Sequence, residues 1–157
     1  IKNIKEAKKS ADIVIADIHW GREYEYGVTD QMRQISKVAI DAGADLVIGS
    51  HAVGVYPLES YKGKPIIFST GYFISDTSLY VGKEGFIFNV LISSGNKISE
   101  IVMTPIYIND KKEVLLYEQY NSQQANEFLE MHNNWEKENG FDSKIEDNKI
   151  HVYFPQS

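Results

Sequence analysis

Apolar and polar positions change rhythm along the chain, and each change predicts an element. Residues 2 to 9 carry apolar side chains at helical spacing among lysines. Residues 12 to 18, Asp-Ile-Val-Ile-Ala-Asp-Ile, are a short β-branched run of the kind that forms a strand buried on both faces. Thr29 then reads as a helix N-cap, with Asp30 in the first turn where its charge suits the helix dipole. Met32, Ile35, Val38, Ala39 and Ala42 recur at helical spacing behind it, and Gly43 reads as the C′ residue that ends the helix. Residues 44 to 50, ADLVIGS, predict a second buried strand. Strand, helix and strand make a βαβ unit, which is right-handed in nearly all known cases and sets its two strands parallel.

Beyond residue 54 the rhythm shortens. Residues 55 to 61, 64 to 73, 85 to 93 and 97 to 108 read as strands, with KGK and SSGNK as turns. The last two alternate in the manner of an antiparallel hairpin. Residues 121 to 138 are helical, with Phe128, Met131 and Trp135 on one stripe read as core packing, and 149 to 154 predict a final strand. The polar stretch 139 to 148 reads as the nearest thing to a linker. The expected class is α/β: one βαβ unit, then antiparallel strands, a C-terminal helix and a strand. Residues 1–157 are expected to form one domain or the C-terminal part of one, with the motifs in 10–108 and a terminal helix and strand in 120–157.

Composition narrows the function more than the fold. With 157 residues and 43% apolar content the chain can bury a core. Its net charge of −6 comes with scattered rather than clustered lysines, so no nucleic-acid partner is expected. The absence of cysteine excludes disulfides, thiolate metal sites and a cysteine nucleophile. No apolar run reaches the roughly 18–20 residues of a membrane span. The chain opens at Ile1 within what reads as the middle of an α/β unit, so a longer polypeptide is expected, with any signal or anchor upstream.

The chemistry gathers where both parallel strands end. His19 follows the first strand and His51 the second, and that edge is where open α/β sheets usually bind ligands. Adjoining strands lie about 4.8 Å apart, so the two imidazoles can converge on a divalent metal. Asp17, two residues before His19, falls on the same strand face, and Glu23 lies within reach of the edge. Such carboxylates bind metal directly or orient an imidazole through its ring N–H. His132 and His151 have no partner pattern and read as structural. Tyr24 and Tyr26 are candidate pocket residues. No phosphate-binding glycine loop and no G-x-S-x-G elbow is present.

In these same stretches the chain resembles the bacterial capsule synthesis proteins of the CapA type, associated with poly-γ-glutamate and related to the calcineurin-like metallophosphoesterases. The resemblance rests on DIVIADIHWGREYEYG, on DQMRQISKVAIDAGADLVIGSHAVGVYPLESYKGKPIIFSTGYF and on GFIFNVLIS, over roughly residues 10 to 108. It implies the C-terminal half of a four-layered α/β/β/α sandwich, in which His19 matches a lone metal-binding histidine and His51 the first histidine of a G-x-H-x-H motif. Val53 stands where that motif has its second histidine, Ala52 where proline is usual, and Tyr72 where a G-N-F motif has asparagine. The resemblance implies a metal site of His19, His51 and Asp17 for Mn, Zn or Fe, and a metal-dependent hydrolase or transferase with Glu23 and His19 as catalytic residues. The alternative is a non-catalytic subunit that handles or assembles the polymer. Implied partners are the N-terminal half of the domain or another copy of the chain, capsule-synthesis membrane proteins and an anionic polymer. The implied location is extracytoplasmic, anchored to a membrane through a segment outside this sequence.

Overall fold

The computed structural model of the protein describes residues 1–21, 27–52, 54–75 and 83–155. Helix α1 (Lys2–Ala7) leads into β1 (Ile15–His19), α2 (Asp30–Asp41) and β2 (Leu46–Ser50), the expected βαβ unit, with β1 and β2 parallel. The Thr29 hydroxyl caps α2 by accepting from the Met32 N–H at 3.2 Å. Gly43 leaves the helix at a φ of 116°, a left-handed conformation that glycine adopts without a steric cost. Strands β3 (Glu59–Tyr61) and β4 (Lys64–Ile67) complete a first sheet of order β1-β2-β4-β3.

A second sheet is antiparallel throughout. It joins β5 (Glu84–Ile92), β6 (Ile98–Ile108), β7 (Val114–Leu116), β8 (Asp142–Glu146) and β9 (Lys149–Tyr153), with α3 (Tyr117–Tyr120) and α4 (Ser122–Glu138) between β7 and β8. The protein is thus α/β, two sheets with helices. Leu46, Leu58 and Ile67 of the first sheet region meet Ile101 and Met103 of the second, and Phe128 and Leu129 of α4 enter the same core. The other face of the first sheet packs Val47 and Ile66 against Met32, Ala39 and Ile40 of α2.

Several expectations are corrected. His19 is the last residue of β1 rather than the one after it. Residues 139 to 148 are no linker: β8 and β9 form a hairpin turned by Asp147 and Asn148, both at positive φ, as a two-residue turn of the primed type requires. Strands β7 and the one-turn α3 were not expected. The inward stripe of α4 is Ala125, Phe128, Leu129, His132, Asn133 and Glu136, whereas Met131 is 42% exposed. On α2, Ile35 and Val38 stay exposed at 37% and 46%. They border a groove with Ile1, Ile4 and Ile15 beside β1, which ends the first sheet among the described residues.

Candidate functional site

The site is built by register. His19 pairs with Ser50 and Asp17 with Ile48 across the β1–β2 ladder. Side chains alternate along a strand, so Asp17 and His19 share one face while Ala16 and Ile18 take the other. His51 follows β2 with a φ of 88°, in the left-handed region. The turn brings its ring to His19, with centroids 4.5 Å apart and planes at 48°. His19 Nδ1 lies 3.2 Å from Ser50 Oγ in a hydrogen bond, which leaves Nε2 as the ring nitrogen not engaged by Ser50.

Trp20 holds this end of β1 in place. Its backbone N–H donates to Ser50 O at 3.2 Å, and its buried indole N–H donates to Phe68 O at 2.9 Å. The indole crosses β2 at Gly49, where a Cβ would stand 2.2 Å from Trp20 Nε1 and 2.1 Å from Phe68 O. A glycine is therefore needed directly before Ser50 and His51. On the helix side a cavity of about 590 Å³ opens beside His19, bordered by Gly21, Thr29, Gln31 and Met32.

The opposite end of the same strands is tied by Asp45. Its buried carboxylate accepts from Lys64 at 2.6 Å, Lys8 at 2.7 Å and the Val14 N–H at 2.9 Å. Burial pushes this carboxyl up, but the hydrogen bonds from Lys64, Lys8 and Val14 outweigh it and hold the group below the usual aspartate value. The two histidines away from the edge are structural in placement. His132 is buried among Phe86, Phe128 and Trp135, and burial lowers it to about 3. His151 Nδ1 pairs with Glu100 Oε1 at 2.5 Å on the second sheet.

Of the residues picked from sequence, the structure brings His19 and His51 together and sets Asp17 exposed on the face of His19. Asp17 does not close a three-residue cluster with the imidazoles, and no group of three or more metal-type ligands occurs among the described residues. Glu23, Tyr24, Tyr26 and Val53 lie outside the described residues. Ser50 was missed, although it was readable from strand pairing, since it stands opposite His19. Two imidazole nitrogens suit Mn, Zn or Fe as donors but make only half of a four-ligand set. Further ligands have to come from beyond this pair.

A parallel strand pair that ends in two facing imidazoles, backed by a second sheet, defines an α/β protein with a candidate metal edge. Residues 1–77 match the family described as "Bacterial capsule synthesis protein PGA_cap", and over this stretch the chain is similar to CapA-type capsule synthesis proteins. The chain is 45% identical over 76 residues to the "PGA biosynthesis protein CapA" of Bacillus subtilis, a match covering 48% of this chain and 20% of that protein. It is 35% identical over 77 residues to the "Capsule biosynthesis protein CapA" of Bacillus anthracis, covering 48% and 19%. A Mycobacterium tuberculosis protein named "Probable polyglutamine synthesis accessory protein" matches at 31% over 110 residues, covering 65% and 29%. The chain thus spans less than a third of the length of these relatives.

Proposed function

We propose that this chain acts in capsule biosynthesis, on poly-γ-glutamate, and that its His19–His51 edge is part of a divalent metal site in a metallophosphoesterase-like fold. The observation that carries the reading is the meeting of two imidazoles, 4.5 Å between centroids, at the edge of a parallel strand pair. The names of the relatives support the process. In this proposal His19 and His51 ligate through ring nitrogens, Asp17 binds or orients from the strand face, and Glu23 is the general base. A Mn, Zn or Fe ion held by these residues would supply polarisation of a substrate oxygen and a lowered pKa for a bound water. The reaction class is hydrolysis or transfer at an amide or phosphate of polymer assembly.

The remaining ligands are proposed to come from the N-terminal half of the domain or from another copy of the chain. The exposed Ile15 of β1 and Ile35 and Val38 of the neighbouring α2 support a partner on that side, since an open strand edge with apolar neighbours invites pairing. Capsule-synthesis membrane proteins and the anionic polymer are the further proposed partners. The location is proposed to be the cell surface, through an anchor outside this sequence; among the described residues no helix is long and apolar enough to cross a membrane.

Calorimetric titration of the full-length protein with Mn²⁺ and Zn²⁺ tests the metal reading. His19→Ala and His51→Ala should each weaken binding at least about 10-fold. Equal binding in both variants and the parent would sink the proposal. Val53 and Tyr72 favour a second reading, a non-catalytic subunit that handles the polymer, because valine offers no donor atom where the motif has its second histidine and Tyr72 departs from the motif's asparagine. That reading gains if the full-length protein binds polymer but no metal.

A further inference from the structure

His51 is the strained residue of the site. A φ of 88° on a residue other than glycine is strained and persists only where the surroundings over-determine it. The chain after His51 is fastened at three points. Ser69 Oγ donates to Ala52 O at 3.1 Å, and Val55 pairs with Thr70 in an isolated antiparallel bridge. The third point comes from α4. The Leu58 N–H donates to both carboxyl oxygens of Glu136, 3.1 Å each, and Leu58 O accepts from Asn139 Nδ2 at 2.8 Å.

This grip is costly to build. Glu136 and Leu58 are both fully buried, and an inward carboxyl on a helix loses hydration that an apolar side chain would never have needed. A leucine at 136 would fill comparable space but could not hold the Leu58 N–H. The carboxyl therefore answers to the loop rather than to the core. The loop it closes begins at His51, while α4 lies outside the family-matched stretch of residues 1–77.

We propose that Glu136 and Asn139 are positioning residues for His51: by clamping Leu58 they hold the far end of its loop, so that the imidazole stays against His19. This deepens the reading above and rests on it only for what the imidazole pair does, not for how the pair is held.

Imidazole resonances of the metal-free, full-length protein test it. In Glu136→Leu the Cε1–H signals of His51 and His19 should move while that of His151, on the second sheet, stays. The Leu58 amide should exchange with solvent at least about 10-fold faster, as a freed backbone donor does. Glu136→Gln keeps an oxygen that can accept from Leu58 and should return the His51 signal towards the parent position. If Glu136→Leu does not fold, Asn139→Ala removes the other half of the clamp and should move His51 in the same sense. Unmoved His51 and His19 signals in a folded clamp variant would overturn the proposal. Since no metal enters this measurement, a protein that binds no metal but shows the coupled shifts refutes the functional reading alone.

Discussion

Gly49→Ala is expected to unfold the protein under mild denaturant. The added methyl would stand 2.1 Å from Phe68 O and 2.2 Å from Trp20 Nε1, the two ends of a 2.9 Å hydrogen bond. Neither neighbour is a flexible tip: one is the backbone carbonyl directly after β4, the other a buried ring in the core that α2 covers. Overpacking of this kind costs about 1–3 kcal/mol. Separating the indole from the carbonyl leaves two buried polar groups unpaired, at about 1–3 kcal/mol more. Together that is roughly 2–6 kcal/mol, a substantial part of the 5–15 kcal/mol that holds a typical domain together. Urea unfolding followed by far-ultraviolet circular dichroism reads the loss. Trp20→Phe keeps a ring but deletes the donor, and should cost about 1–3 kcal/mol. The double variant should lose less than the sum, because the same hydrogen bond breaks only once. A Gly49→Ala midpoint equal to that of the parent would refute the packing account.

Stability should form a plateau between about pH 4.5 and 6.5, produced by two buried groups on α4 with opposite slopes. Burial raises Glu136 from 4.5 to about 7, against the opposing hydrogen bond from Leu58. Between these values the folded state holds a proton that the unfolded chain has released, so stability falls as pH rises. Burial lowers His132 from 6.5 to about 3. Between those values the unfolded chain holds the extra proton, so stability rises with pH. Each slope is about 1.4 kcal/mol per pH unit. They cancel where the windows overlap. Below pH 4.5 His132 acts alone and stability drops, joined below about 3.8 by the loss of Asp45, whose folded value is lowered. Above 6.5 the fall due to Glu136 continues to about 7. Urea midpoints at half-unit steps measure this directly. Glu136→Gln should turn the plateau into a rise up to pH 6.5, and His132→Phe into a fall. Variants that both keep a flat profile would show that neither group carries the linkage.

These two residues also mark where sequence reading stopped. Apolar periodicity locates the inward stripe of a helix only through its apolar members. On α4 three of the six inward residues are polar, so apolar spacing alone points to Met131 in their stead. The same blindness applies to β8, whose Asp-Ser-Lys-Ile-Glu carries a single apolar residue and draws its identity from pairing with β9. The βαβ unit was legible because local signals agree with tertiary ones there: a β-branched run, a Thr29 cap, a Gly43 exit and a second apolar run. The meeting of His19 with His51 was legible for the same reason, since parallel neighbours that end at one edge bring the residues at that edge together. What could not be read were the partners reached across the fold: Phe68 beneath Trp20, and Leu58 in the grip of Glu136.

The run from Asp41 to His51 can be divided by task. Asp41 pairs with Lys62 at 2.6 Å, Gly43 bends out of α2 beneath the stem of Lys8, Asp45 gathers Lys8, Lys64 and the Val14 N–H, and Gly49 makes room for an indole. Ser50 meets His19 Nδ1, and His51 is the residue of the run proposed for chemistry. The motif is therefore not portable: grafted onto another parallel sheet, it would carry its histidine but leave behind Lys8, Trp20 and Lys64, the distant side chains that give its other letters their meaning.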